Sequence, residues 1–177
     1  MVNYFGVDIT SNYGAIKEEV NILFFTFLSF GMLGLYDDVK KFFKFEQKGL
    51  FGLRLKHKLI FEIILSFIIA VMLYYNLGIS ILNIPFVGTF QLGIFYIPFA
   101  TFTIVSFANA INITDGLDGL AAGSLMISLF GLWFLSSAIL DIPISIFLAL
   151  LIGSMISFLY FNVYPARIFM GDVGSLA

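Results

Sequence analysis

Cysteine is absent, histidine occurs once and charged residues make up only 11% of the 177 residues. Without cysteine there can be no disulfide framework, no thiolate nucleophile and no cysteine metal site. The single His57 has no imidazole companion with which to bind a metal, and it lies in a basic stretch that reads as surface. The scarcity of charge excludes a soluble domain, which carries about 25% charged residues. What is present instead is apolar: 60% hydrophobic residues, 18% aromatic ones and a mean hydropathy of +1.04. Lipid is the solvent for such a chain.

Uninterrupted apolar stretches predict helices at about 21–36, 59–76, 94–112, 119–140 and 142–162, each near the length that crosses a roughly 30 Å hydrocarbon core. Several spanning runs exclude a signal peptide or a single anchor. Backbone groups in lipid must be bonded internally, and runs such as Phe61-Glu62-Ile63-Ile64-Leu65-Ser66-Phe67-Ile68 do not alternate as barrel strands do. The expected class is an all-α polytopic membrane protein, with residues 1–177 as one transmembrane domain and a short external hairpin over 77–93 around Pro85 and Val87-Gly88. The last residues stop in what reads as a loop, so the chain is expected to be incomplete at both ends.

Seven of the nine Lys and Arg (Lys40, Lys41, Lys44, Lys48, Arg54, Lys56, Lys58) lie between the first two helices, which puts that segment inside. Alternation then brings Asp37 and Asp38, Asp115 and Asp118, and Asp172 to the same face. Carboxylates from several segments are the hard oxygen ligands that Mg²⁺ accepts, usually together with waters and substrate phosphates. Each group also has a plainer reading. Asp37-Asp38 can end a helix at headgroup level, although a helix C-terminus prefers cations. Thr114-Asp115-Gly116-Leu117-Asp118-Gly119 can be an Asp/Gly turn, its spacing being wrong for an EF-hand. Asn109 and Asn112, three apart, share a helix face and suit either a site or an interhelical hydrogen bond. Phe169, three residues before Asp172, can stack on a base or simply pack. The basic segment can serve anionic headgroups as well as phosphates.

Three stretches taken together resemble a known family. Leu33-Gly34-Leu35-Tyr36-Asp37-Asp38-Val39-Lys40-Lys41, then Asn109-Ala110-Ile111-Asn112-Ile113-Thr114-Asp115-Gly116-Leu117-Asp118-Gly119-Leu120-Ala121, then Pro165-Ala166-Arg167-Ile168-Phe169-Met170-Gly171-Asp172-Val173-Gly174-Ser175-Leu176-Ala177 are similar to successive cytoplasmic signatures of the polyprenyl-phosphate sugar-1-phosphate transferases, glycosyltransferase family 4. Thr114, Val173 and Tyr96-Ile97-Pro98-Phe99 are most similar to the branch whose donor is UDP-N-acetylmuramoyl-pentapeptide. A second branch uses UDP-N-acetylhexosamine for surface polysaccharide or teichoic acid.

The resemblance implies a Mg²⁺-dependent enzyme of peptidoglycan synthesis in the bacterial inner (plasma) membrane, with its site on the cytoplasmic face. In it, undecaprenyl phosphate attacks the donor's β-phosphate and UMP leaves. It implies Asp172 as the metal ligand, and Asp37 and Asp38 as paired carboxylates, one of them the base or, in a two-step scheme, a nucleophile. Lys41 and Lys58 fall beside the phosphates, and Asp118 joins the catalytic set. Asn112, Asp115 and Asn162 match substrate-binding positions, with Gly116, Leu117 and Phe169 at the uridine pocket. A homodimer in the bilayer is implied, and no nucleic-acid partner is expected. Family members carry about ten transmembrane helices, an amino-terminal Thr-Pro-Thr-Met-Gly-Gly-like loop and a later histidine-rich loop. This sequence has none of these, and the piece alone is expected to be inactive. The contrasting class is a cation transporter, but the only acid well inside a predicted span is Glu62, one turn from the edge.

Overall fold

The computed structural model describes residues 9–43, 55–84, 86–138 and 141–177. Lys44, Lys48, Arg54 and the last two residues of the fourth expected helix lie outside the described residues. The elements in chain order are α1 (Ile9–Phe43), α2 (Leu55–Asn76), β1 (Ile81–Ile84), β2 (Gly88–Gln91), a 3₁₀ turn at Gly93–Phe95, α3 (Tyr96–Thr114), α4 (Leu120–Ala138), α5 (Ile142–Asn162) and α6 (Gly171–Leu176). Five helices among the described residues are long and apolar enough to cross a membrane, over Ile16–Phe43, Lys56–Asn76, Gly93–Thr114, Leu120–Ala138 and Ile142–Asn162. This is an all-α polytopic membrane fold.

Several hydroxyl groups inside the spans are answered locally. Thr26, Thr101 and Ser157 each return a hydroxyl proton to the carbonyl four residues earlier, which satisfies the group without needing water. Small residues let α2 and α3 approach, with Ala70 wholly buried between Ile97 and Ala100. Leu129 of α4 meets Leu148 and Ile152 of α5 in a second cluster. The turn before α5 is fixed by Asp141, whose carboxylate accepts from the Ile144 N–H at 3.3 Å, with Pro143 in the first turn. The hairpin expected over 77–93 is present, β1 and β2 pairing antiparallel from Ile81 opposite Gln91 to Ile84 opposite Gly88.

Three expectations change. Asp37 and Asp38 do not end the first helix. α1 continues to Phe43, with Lys40 and Lys41 in its last turn. Its 35 residues, at about 1.5 Å each, exceed a roughly 30 Å core, so the acid-bearing turns can project beyond it. Asp37 pairs with Lys41 one turn on at 3.0 Å, and cations rather than acids occupy the helix terminus. Likewise α2 begins at Leu55, so Lys56, His57 and Lys58 sit in its first turns, with His57 exposed and Lys58 buried.

The final stretch is not a loop. Gly171–Leu176 forms α6, whose Ser175 and Leu176 are buried and whose Leu176 joins Ile22, Phe30 and Ile69 in one apolar cluster. Gly34 makes this docking possible, because a Cβ there would overlap the backbone of Asp172 and Val173. A Gly34→Val variant is therefore expected to lose about 1–3 kcal/mol of stability through overpacking. Gly153→Ala, whose Cβ would meet open space inside α5, should lose no stability. Thermal unfolding of the detergent-solubilised protein compares the two.

Candidate active site

The C-terminal turns of α1, the N-terminal turns of α2, the turn between α3 and α4, and the segment from α5 to α6 meet at one end of the bundle. α6 brings Asp172 against α1. Gly171 precedes it with φ +67°, and a Cβ at that position would stand 2.8 Å from Asp38 Oδ2. Only glycine meets both constraints. Asp38 in turn accepts the Val173 N–H through the same oxygen at 3.1 Å, tying the start of α6 to α1.

The centre of the site is Asp172 Oδ2. It takes Lys41 Nζ at 2.9 Å and Lys58 Nζ at 2.7 Å. Lys41 also reaches Asp37 Oδ2 at 3.0 Å and Asp38 Oδ1 at 3.6 Å. Three carboxylates and two ammonium groups from α1, α2 and α6 thus share one cluster. Asp37 and Lys58 are 3% and 7% exposed, so the cluster is more than a set of surface ion pairs. Burial alone would raise the Asp172 carboxyl, but hydrogen bonds with Asp37, Lys58 and Lys41 outweigh it and hold the group well below the ordinary carboxylate range. Asp115 goes the other way: burial, then the charge of Asp172, raises it, only partly offset by a hydrogen bond from the Gly171 backbone.

The other sequence-predicted residues divide in two. Asn112 accepts the Ser175 hydroxyl at 2.8 Å and so grips α6 from α3. Asp118 accepts the Ala166 N–H at 3.0 Å. Asn162 is 2% exposed, accepts the Gly119 N–H at 3.0 Å and donates to the Ile168 carbonyl at 2.8 Å. These last two side chains hold the backbone of the two site loops. Gly116, Leu117 and Phe169 are exposed instead, and Phe169 forms part of the wall of an apolar groove of about 890 Å³ beside α6. Asn109 and Asn112 share a helix face but serve different partners, since Asn109 donates to Glu62 of α2. Glu62 and Ser175 were not expected at the site. Glu62 lies four residues after Lys58, a helical spacing that could have linked the two.

Carboxylate oxygens are the donors that a hard cation takes. Lys41 already holds its ammonium among Asp37, Asp38 and Asp172. Among the described residues no three acidic or imidazole side chains stand spaced as ligands of one ion. The family resemblance gives a divalent ion Asp172 as its protein ligand, and waters and phosphate oxygens would complete the shell.

The sequence matches the family described as Glycosyl transferase family 4 over residues 20–177. The chain belongs to that family. It is 41% identical over 165 residues to the phospho-N-acetylmuramoyl-pentapeptide-transferase of Clostridium perfringens (strain SM101 / Type A), covering 93% of this chain and 50% of that protein. It is 43% identical over 175 residues to the protein of the same name from Borreliella burgdorferi (strain ZS7), covering 88% of this chain and 49% of that one. The chain thus spans about half the length of the curated relatives it matches.

Two outcomes follow from the geometry. Asn162→Ala leaves the part-buried Gly119 N–H and the Ile168 carbonyl without their partner, and should cost about 0.5–1.5 kcal/mol for each hydrogen bond lost, read by thermal unfolding. For Asp172, the folded carboxyl is depressed, so its stabilising contribution is full above the ordinary Asp value of about 4 and is lost as pH falls below it toward the folded value. Lys58→Met removes one of the cations responsible. In an acid-unfolding series that variant should show a smaller Asp172-linked loss, complete at a higher pH.

Proposed function

We propose that the protein transfers phospho-N-acetylmuramoyl-pentapeptide from its UDP carrier to undecaprenyl phosphate, releasing UMP, at the cytoplasmic face of the bacterial plasma membrane. The observation that carries this reading is the convergence of Asp37, Asp38, Lys41, Lys58 and Asp172 at one end of a membrane bundle. It is supported by relatives that bear the corresponding transferase name. The lysine-rich segment between α1 and α2 supports the cytoplasmic placement, because positive loops stay inside.

In the reaction, an oxygen of the lipid phosphate bonds to the phosphorus attached to the sugar. The bond from that phosphorus to the bridging oxygen breaks, and the bridging oxygen leaves with UMP. Such a transfer needs positioning and neutralisation of charge more than covalent help. Mg²⁺, when bound at Asp172, supplies part of that neutralisation to the phosphate oxygens. Lys41 and Lys58 bring two ammonium groups to this end of the site and offset phosphate charge from there. Within the acidic pair the two side chains differ: Asp38 is 30% exposed and Asp37 only 4%. Asp38 is accordingly the member that can meet the acceptor and take its proton, while Asp37 orients Lys41. In this reading Asp115, Gly116, Leu117 and the exposed ring of Phe169 take the uridine.

The test is an in-vitro transfer assay of the complete gene product with undecaprenyl phosphate and each of two donors. UMP release dependent on Mg²⁺ is expected with UDP-N-acetylmuramoyl-pentapeptide; release with a UDP-N-acetylhexosamine alone would assign the other branch. Asp172→Asn should lower transfer by about 100-fold or more without changing membrane insertion. Retained activity would overturn the metal assignment.

A further inference from the structure

Beneath the ion-pair cluster α2 carries a second buried acid that the proposed chemistry does not use. Glu62 is 0% exposed, as is Ser66 one turn further along the helix. Asn109 of α3 donates its amide to Glu62 Oε2 and to the Val105 carbonyl, which fixes one carboxylate oxygen. The other oxygen, Oε1, and the Ser66 hydroxyl have no hydrogen-bond partner among the described residues. A buried carboxylate oxygen left in that state calls for an explanation.

Lys58 stands four residues before Glu62, so the two share one face of α2, one turn apart. Side chains on a helix lean toward its N-terminus, which tilts Glu62 toward Lys58 and toward the site. Lys58 attracts a charged Glu62, whereas Asp172 and Asp37 oppose it. Lys58, itself buried, donates to the same Asp172 oxygen that takes Lys41. A divalent cation arriving at Asp172 therefore contends with two ammonium groups. Lys41 keeps Asp37 and Asp38 as neighbours when displaced. For Lys58, the acceptor at hand on its own helix face is Glu62.

We propose that Glu62 is a positioning residue that receives the Lys58 ammonium when a divalent cation takes Asp172. The lysine then moves from one carboxylate to another and is not left unpaired in a buried place. This inference rests on the Mg²⁺ reading given above. Without the Glu62 charge, Lys58 clings to Asp172 and the cation binds more weakly, because a buried charge separated from its partner is strongly disfavoured. A clamp between α2 and α3 would need only the Asn109 bond, which a glutamine at this position still accepts through its carbonyl oxygen.

Mn²⁺ binding to the purified complete gene product, followed by the spectroscopic signal of the free ion with no nucleotide present, tests this directly. Glu62→Gln is expected to weaken binding about tenfold. In a Lys58→Met background the same substitution should change affinity by no more than about twofold. Unchanged binding in the single variant overturns the inference. So does a tenfold loss that persists without Lys58, which would mean that Glu62 acts through its field alone. Should Glu62→Gln fail to fold, Lys58→Met is compared with Lys58→Met/Glu62→Met, in which both polar ends are replaced. Equal affinity is expected there, and a loss of about fivefold or more overturns the proposal. Absence of Mn²⁺ binding by the unsubstituted protein overturns the metal reading and this inference with it, whereas binding that ignores Glu62→Gln overturns the inference alone.

Discussion

One carboxylate oxygen, Asp172 Oδ2, organises this end of the molecule. It is met by ammonium groups from α1 and α2 at 2.9 and 2.7 Å, while the backbone next to it is held by Asp38. A half-buried carboxylate is costly unless it is paired, and here the pairing draws two spanning helices and a short terminal helix onto a single point. The close approach has its own requirement: Gly34 and Gly171 leave no side chain where α1 and α6 touch. Electrostatics and sterics thus act on the same few residues. The ion pairs would not form if the backbones stood further apart, and the backbones would have little reason to approach without the ion pairs and the burial of Leu176.

Much of the architecture is legible in the hydropathy because lipid imposes a simple rule: a helix that must cross the core shows an apolar run of the required length. That is why five spans and the hairpin between α2 and α3 can be read directly. Hydropathy says nothing about how far a helix continues once it leaves lipid. α1 runs on through Asp37, Asp38, Lys40 and Lys41, where Asp37 and Asp38 pair with Lys41 and Lys40 lies over the Tyr36 ring, and a hydrophobicity reading stops at the first of them. α6 escaped for a different reason. Six residues containing two glycines have little intrinsic helix tendency. Their conformation is supplied by docking on α1, and docking has no local sequence signal.

The site shows the same division. Residue type and spacing single out the carboxylates and lysines, and the structure gathers Asp37, Asp38, Lys41, Lys58 and Asp172. Residue type does not say which polar group touches a substrate and which holds a loop. Asp118 is expected in the catalytic set and Asn162 at the border of the substrate site, and their hydrogen bonds go to the backbone of Ala166, Gly119 and Ile168. Glu62 is the converse case. It resembled a stray acid near the edge of a span until its burial and its Asn109 contact gave it a place.

The two asparagines of α3 make the physical logic explicit. They lie three residues apart on one face, but Asn109 faces α2 and Asn112 faces α6. Each therefore joins α3 to one of the two elements that deliver charge to Asp172: α2 brings Lys58 and α6 brings Asp172 itself. A shift of α3 would move both partners of the Lys58–Asp172 pair, and a change in that pair would be felt at both asparagines. Neutral amides suit this task, since they can brace charged neighbours in a lipid-surrounded bundle without adding a charge that needs a partner of its own. The helix with no charged residue between Tyr96 and Thr114 is thereby the one that fixes the relative position of the charges on the others.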